Sequence, residues 1–598
     1  MASRFQRPGE PGRDDSWPGV NTALPTLREY ALIADGQRGA LIGPGGEVAW
    51  LCVPSWHSDP AFSPILGGPG RYIIAPEDDR FTAGGCYEDG TLIWRSRWIT
   101  TTGVVECRQA MAFPADPHTA VMLRRVIAVD ADARVGVSLE PAAGFAEHSL
   151  HAVALDEATW TMRAGPLTFR WTGAPGAARH ANGFDITLEI PAGEHRDLVL
   201  EISDRSPRGL LAGADELWDR TERAWRESVP ALPHSLAERD ARHGYAVLRG
   251  LTGRSGGMVA AATAALPERA EQGRNYDYRY CWIRDQCYAG QAVAVAGPHP
   301  LLDDAVRFVG ARLLEDGPQL VPAYTLDGGR VPDESILDLP GYPGARVTIG
   351  NHVNTQSQLD AFGEALLLFA AAETHGRLDA EHWRAAETAV AAIEKRWDEP
   401  DAGIWELDDQ RWAHSRLICA AGLRAISAAA PPRQAARWTQ LADGLIADTT
   451  GRCLHPSGRW QRAPGDDRVD AALLLPALRG AIDPADPRSR RTLEAVRRDL
   501  GREGYVYRFR HRGQQLADSE GAFLLCGFVM ALAEHQQGHE REAVRWFERN
   551  RAGCGPPGLF TEEFDVIERQ LRGNLPQAFV HALLFEAAHR LARPWPEQ

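Results

Sequence analysis

Two hydrophobic rhythms divide the chain. From about Leu27 to Ile202 apolar residues tend to alternate with polar ones, as with Val135, Val137 and Leu139 in ARVGVSLEP, Ile186, Leu188 and Ile190 in FDITLEI, and Leu198, Leu200 and Ile202 in RDLVLEI. A period of two turns one face of a strand to a core and the other outward, and the Gly, Pro and Asp turns between these runs predict an antiparallel sandwich over residues 26–210. The spacing then changes. ELWDRTERAWRESV and SLAERDARHGYAVLRGL carry apolar residues three and four apart, which predicts a helical linker over 211–238 and a helical domain over 239–598. The same spacing recurs in QSQLDAFGEALLLFAAAETHG (Leu359, Phe362, Leu366, Phe369), EHWRAAETAVAAIEKRW, RLICAAGLRAISAAA, SEGAFLLCGFVMALAEHQQGHEREAVRWFERN and LPQAFVHALLFEAAHRLA. Many of these stretches end at Gly or Pro, the usual stop signals. Long Gly/Pro/Asp-rich segments rich in aromatics separate the helix pairs, so the expected form is a helical toroid whose loops gather at one end around a concave cavity.

Composition narrows the partners. The 598 residues are 44% hydrophobic and 24% charged, with 18 Trp, as in an ordered globular chain of two large domains. A formal net charge of −15 opposes a polyanion partner, so nucleic acid is excluded. No run approaches the roughly 18 apolar residues of a membrane helix. The opening MASRFQRPGEPGRDDSWPG lacks the apolar core of a secretory signal, and residues 1–25 read as a disordered tail on a cytoplasmic protein. Nine scattered cysteines without CxxC pairs suit a reducing compartment. Oligomeric state is not legible.

No HExxH, GxxxxGK[ST] or GxSxG motif is present, which removes the best-marked metalloprotease, nucleotide and serine-hydrolase readings. Carboxylates beside aromatics remain. Glycoside hydrolysis needs two, one to protonate the leaving oxygen and one to activate water or attack the sugar. Glu406 follows Trp405 in GIWELDD, where the indole is expected to desolvate it; Glu562 and Glu563 follow Phe560 in GLFTEEFD. The plainer alternative makes Trp405 a core anchor with a solvated Glu406, and Thr561 with its glutamates a helix cap. Arg274–Gly290, RNYDYRYCWIRDQCYAG, adds three arginines, two aspartates, four tyrosines and a tryptophan in seventeen residues.

These segments together resemble glycoside hydrolase family 15, the glucoamylase, glucodextranase and trehalase-like enzymes. The resemblance runs from about Tyr30 to Leu591, through REYALIADGQRGALIGPGGEVAWLCVPSW, AATAALPE with RNYDYRYCWIRDQ, GYPGARVTIGNHVNTQSQLDAFGE, GIWE, EGAFLLC and LFTEEFDVIERQLRGNLPQAF, in the family's order. It implies an N-terminal antiparallel β-supersandwich followed by an all-helical (α/α)6 barrel, and an inverting, exo-acting hydrolase of a small α-glucoside with no cofactor. Trehalase on the same scaffold is the first alternative, and a non-catalytic carbohydrate-binding protein a further one. By the same resemblance Glu406 is the general acid and Glu562 the general base, with Glu563 a supporting residue or, as the alternative, the base. Arg284 and Asp285 match the pair that binds hydroxyls of the terminal sugar, with Trp282, Tyr280 and Trp405 supplying apolar faces and Asp277 and Arg279 as supports. Glu334, Gln356, Asp360 and Glu520 lie in matching segments and are assigned to the pocket wall, with helix-cap or helix-face roles as the alternative. His414 is expected near the acid; His352 and His581 are read equally as structural. None has a ligand partner at metal spacing, so no metal is assigned. Gln286, GNHVNT and the Leu-Pro of GNLPQAF depart from the family pattern and bear on substrate preference.

Overall fold

The computed structural model describes residues 24–595 apart from 147, 149, 207–208, 210–211, 270–272 and 519. Residues 1–23 of the expected tail lie outside that set. Strands occupy the first part of the chain up to Ser203, and every ladder is antiparallel. An eight-stranded sheet has Thr119–Ala128 and His195–Ser203 near its centre, in the register Leu200↔Met122 and Ile202↔Ala120. A four-stranded sheet pairs Ala133–Glu140 with Phe184–Ile190, setting Val135 against Leu188 and Val137 against Ile186. The alternating residues read from the sequence face this core: Val135, Val137, Leu139, Leu198, Leu200 and Ile202 are fully buried. A third sheet, of strands between Ala31 and Phe62, is buried on both faces. There Trp50 reaches out of the sandwich and donates its indole N–H to Ala262 O at 2.9 Å.

Helix α1 (Ala214–Ser228) returns along the sandwich, with Trp225 stacked on Phe113 at 4.8 Å. Among the described residues twelve helices follow in alternation: α2 (Glu238–Leu251) and α3 (Ile283–Ala296), α4 (Pro300–Asp316) and α5 (Asp360–Glu373), α6 (Ala380–Arg396) and α7 (Ala413–Ser427). The series continues with α8 (Pro432–Cys453) and the short α9 (Leu475–Leu478), α10 (Pro487–Leu500) and α11 (Leu524–Gln536), α12 (Glu540–Arg551) and α13 (Ala578–Arg590). The odd-numbered helices from α3 to α13 pack in a closed inner ring, each against the next, and the even-numbered ones lie outside. Sequence explains the sorting. LLCGFVMALAEHQ in α11 is apolar nearly all round and nearly every residue is buried, whereas PRSRRTLEAVRRDL in α10 has one apolar stripe. Close inner packing needs small residues: a Cβ on Gly422 of α7 would lie 2.4 Å from Gly363 O of α5. The molecule is thus an antiparallel β-supersandwich followed by an (α/α)6 barrel.

The inner ring also encloses polar groups. Gln291 donates to Glu364 at 2.7 Å, and Arg479 grips Glu586 through two bonds of 2.6 and 2.8 Å. Asp360, at the start of α5, has neither carboxylate oxygen hydrogen-bonded by the described residues. Burial pushes its pKa up to about 8, Asp401 adding to the effect and Arg284 opposing it.

Two outcomes follow from this architecture. Asp360 takes up a proton on folding between the ordinary carboxylate pKa near 4 and its folded value of about 8, so its contribution to stability is lost as pH rises through that window. Asp360→Asn should therefore flatten the fall of the unfolding midpoint between acid and mildly alkaline pH, by up to about 1.4 kcal/mol per pH unit where the proton is gained. A wild-type slope would contradict this. Arg279, buried with Asp277 and bonded to it at 2.7 and 2.9 Å, also donates to Ser58 O of the sandwich at 2.9 Å. Arg279→Leu leaves Asp277 buried without its partner and should cost about 3–5 kcal/mol, read as a lowered denaturant midpoint; an unmoved midpoint would show that the pair is dispensable.

Candidate active site

The inner helices begin at one end of the barrel, and the segments leading into them build the site. Arg274–Asp277 pairs with Ala264–Arg269, and Cys281–Trp282 pairs with Ala323–Tyr324 immediately before α3. A cavity of about 320 Å3 opens there, within the range of small-molecule sites. Both predicted catalytic carboxylates line it, with Arg284, Trp405, Tyr276 and Tyr278. Glu406 precedes α7 and Glu562 precedes α13, helices that stand opposite each other in the six-membered ring. The two carboxylates therefore approach from facing sides.

Glu406 sits in a tight turn, with Leu407 N bonded to Ala402 O at 2.9 Å. Its φ of +54° is left-handed, a conformation that costs a non-glycine residue energy and recurs where a side chain must be aimed. Trp282 Nε1 donates to Glu406 Oε1 at 2.8 Å, and Arg284 Nη1 lies 3.5 Å from the same oxygen while donating to Ile404 O at 2.6 Å. Trp405 lines the cavity too, but its indole N–H is committed to Asp470 at 2.9 Å. The indole that contacts the Glu406 carboxylate is thus that of Trp282, and the Glu406 side chain keeps 22% of its surface exposed.

Burial falls instead on Glu562, which is 7% exposed and accepts from the Tyr278 hydroxyl at 2.9 Å. Its pKa is pushed well above the carboxylate range, by burial first and by the neighbouring Glu268 carboxylate next. Thr561 is not a helix cap: it donates to Glu563 O at 2.8 Å, and Glu563–Asp565 is a strand between Ala522–Phe523 and Gln570–Arg572. Glu563 is fully buried and accepts from Gly521 N at 2.7 Å, which makes it a support for the turn that carries Glu562. Tyr278 stands edge-on to Trp282 at 5.6 Å, so a continuous aromatic contact joins the group holding Glu562 to the group holding Glu406.

The other predicted residues divide. Arg284 lines the cavity over Phe579, while Asp285 lies behind it, fully buried, 3.3 Å from Arg284 Nη2, with burial raising its pKa to about 6. Tyr280 is turned away from the cavity: strand Arg274–Asp277 ends before it, and its ring faces His57 of the sandwich at 6.1 Å. Glu334 is half-exposed outside the wall and binds His352 at 2.9 Å, and it is His352 that lines the cavity. Gln356 is outside the wall as well, its Oε1 lying 3.5 Å from Gln358 Nε2. Glu520 is buried behind Arg508, bonded to its Nε at 3.1 Å and 3.3 Å from His511. His414 lies beneath the Glu406 turn, 3.9 Å from Asp360, kept neutral by burial that lowers its pKa to about 3. His581 donates to or accepts from no cavity group and bonds Gln577 O at 2.8 Å. Gln286, one of the departures from the family pattern, accepts from Met258 N at 2.8 Å and packs inward.

Arg274, Tyr276 and Tyr278, within the aromatic stretch singled out in the sequence but not named there as site residues, line the cavity wall, and so do Glu268, Arg508 and His511, which were not singled out in the sequence. The signal for the tyrosines was present in the YDYRY alternation, and that for Arg508 and His511 in the basic and aromatic run YRFRHR. Among the described residues one group has metal-like spacing, His195 and Asp197 of the sandwich with Asp215 at the start of α1. Arg125 already fills that space, with two bonds of 2.8 Å to Asp197 and one of 2.5 Å to Asp215. No described helix is long and apolar enough to cross a membrane.

Comparison with known proteins agrees with this architecture. Residues 251–589 match the family model of the glycosyl hydrolases family 15, and residues 16–175 match the trehalase-like N-terminal domain. A trehalase from Mycobacterium tuberculosis is 30% identical over 626 aligned positions, covering 96% of this chain and 91% of the relative. Trehalase 1 of Sulfolobus acidocaldarius is 29% identical, with coverage of 94% and 98%. A bacterial glucoamylase solved with acarbose superposes with a TM-score of 0.70 across 98% of this chain and 97% of that one, at 13% identity, a likeness of fold. Strand-to-helix architecture, facing carboxylates in one cavity and relatives aligned along almost the whole chain lead to one conclusion: the protein is a glycoside hydrolase and belongs to glycosyl hydrolases family 15.

Proposed function

We propose that the protein is an inverting trehalase, cleaving the α,α-1,1 bond of a glucosyl disaccharide with Glu406 as general acid and Glu562 as general base. The observation that carries the reading is the pair of carboxylates presented from opposite sides of one small cavity. The choice of trehalose over other α-glucosides is supported by relatives named trehalases that align along 90% or more of both chains. In the reaction Glu562 takes a proton from water, the water oxygen bonds to C1 on the face opposite the leaving sugar, and Glu406 gives its proton to the glycosidic oxygen as the C1–O bond breaks. Glu406 ends ionised and Glu562 protonated. The attacked sugar leaves as the β-anomer and the other keeps its α configuration. Arg284, beside Glu406 and fixed by Ile404 O, is poised to hold sugar hydroxyls, and the faces of Tyr276 and Trp405 to cover its C–H surface.

Because burial favours a proton on Glu562 in the free enzyme, the roles of the two carboxylates call for a direct test. Glucosyl fluoride supplies one, since fluoride departs without a proton. Glu406→Gln should lose about 10^2–10^4-fold on trehalose yet keep most activity on α-glucosyl fluoride, whereas Glu562→Gln should lose both. The opposite pattern would exchange the roles. For the substrate, glucose release compared across trehalose, maltose, isomaltose, kojibiose, nigerose and maltotriose should give the highest kcat/KM on trehalose. Faster release from maltose or maltotriose would return the enzyme to a glucoamylase-like α-glucosidase.

A further inference from the structure

Glu562 shares its wall with a second carboxylate. The Tyr278 hydroxyl lies 2.9 Å from Glu562 Oε2 and 3.3 Å from Oε1 of Glu268, and a phenol has one hydrogen to donate. Glu268 stands on strand Ala264–Arg269, is 3% exposed, and lines the same cavity as Glu562. Its other oxygen is held from two points, by Arg274 Nη2 at 2.8 Å and Nε at 3.2 Å. Glu268 is thus fixed in place with its other oxygen turned to the hydroxyl that orients Glu562 and its carboxyl in hydrogen-bond contact with that of Glu562 itself.

We propose that Glu268 is a positioning residue for the catalytic base: through Tyr278 it holds Glu562 across the cavity from Glu406, and its negative charge makes Glu562 a stronger base than a lone carboxylate. This rests on the reading of Glu562 as the base. The surroundings support it. Glu268 and Glu563 lie beside Glu562, and Glu520 beside Glu563, so four carboxylates share two guanidiniums, Arg274 and Arg508. Arg508 is committed to Glu520, which also meets His511. Tyr276 stacks on Tyr278 at 6.1 Å, and Glu406 stands across the cavity. A buried cluster with this excess of negative charge holds protons tightly, on Glu562 and Glu563 alike, and of its two members that line the cavity Glu268 is the one held by Arg274, which leaves Glu562 to exchange a proton with water. The direction of its pKa shift agrees, with Glu268 the second cause after burial and Arg508 opposing. A base that holds a proton more tightly takes one from water more readily, and it is idle until pH has risen through its own titration.

The test is the pH profile of kcat/KM for trehalose in wild type, Glu268→Gln and Tyr278→Phe. Glu268→Gln removes the charge at constant size and leaves the Tyr278 hydrogen wholly to Glu562. Its acid limb should move down by about one pH unit while plateau kcat falls about 10-fold and KM stays nearly constant. Tyr278→Phe removes a hydrogen bond to the ionised base, so its acid limb should move up. A purely structural Glu268 would lower activity without moving the limb, and a Glu268→Gln limb coincident with wild type overturns the proposal. Should Glu268→Gln fail to fold, Glu268→Met, which removes the same charge without adding an amide, is the deciding variant: its acid limb should also move down, and an unmoved limb there overturns the proposal equally. If the wild type releases no glucose from any α-glucoside, the functional reading itself fails and this inference with it; an active wild type with unmoved limbs sinks the inference alone.

Discussion

A charge taken out of water must be answered by an opposite charge or by hydrogen bonds, and one answered pair holds this molecule together. Arg279 and Asp277 are both buried, joined by bonds of 2.7 and 2.9 Å. The guanidinium continues to Ser58 O and Trp56 O of the sandwich, and Asp277 Oδ2 accepts from Gly350 N at 3.0 Å. The next two residues after Gly350, Asn351 and His352, line the cavity. One ion pair thus fastens the sandwich, the segment Arg274–Asp285 and a wall loop to each other. The sandwich is part of the catalytic unit in this sense, because without its carbonyls Arg279 would have donors to spare in a dry place.

The barrel divides labour between rigid and reactive parts. Apolar inner helices, packed closely enough that Gly363 and Gly422 meet backbone to backbone, fix where each loop begins. The loops carry the polar chemistry and the strain, as with the left-handed Glu406. Each of the two carboxylates proposed for catalysis is then aimed by an aromatic donor, Glu406 by Trp282 and Glu562 by Tyr278, and the two donors touch. Their environments differ: Glu406 is open to the cavity between an indole N–H and a guanidinium, whereas Glu562 is enclosed among other carboxylates. Such a difference lets two identical side chains take two roles.

Much of this was legible in the sequence because it is local. A period of two survives in any half-buried sheet, so Val135, Val137 and Leu139 could be assigned to a core before their partners were known, and the all-apolar run around Leu366 and Phe369 could be read as a buried helix. Glu406 and Glu562 were found through motif resemblance together with their aromatic neighbours. The wall residues were harder for a physical reason. Glu268 reaches the cavity because the hairpin Ala264–Arg269 with Arg274–Asp277 changes register twice, and no alternation rule foresees a bulge. Tyr280 shares the parity of Tyr276 and Tyr278 but faces His57, since the strand ends at Asp277 and the chain turns before Cys281. The desolvated carboxylate was expected at Glu406 beside Trp405; the long-range partners Asp470 and Glu268, distant in sequence, decide otherwise.

In the proposed mechanism water attacks across the cavity from the proton donor, between two carboxylates on the segments that lead into facing helices. Proton NMR of trehalose hydrolysis, read before mutarotation mixes the anomers, tests it most directly. Inversion gives α- and β-glucose in equal initial amounts, one from each half of the disaccharide. Initial release of α-glucose alone would mean retention at C1 and a covalent or otherwise different route, and would contradict the assignment of Glu562 as a base acting on water.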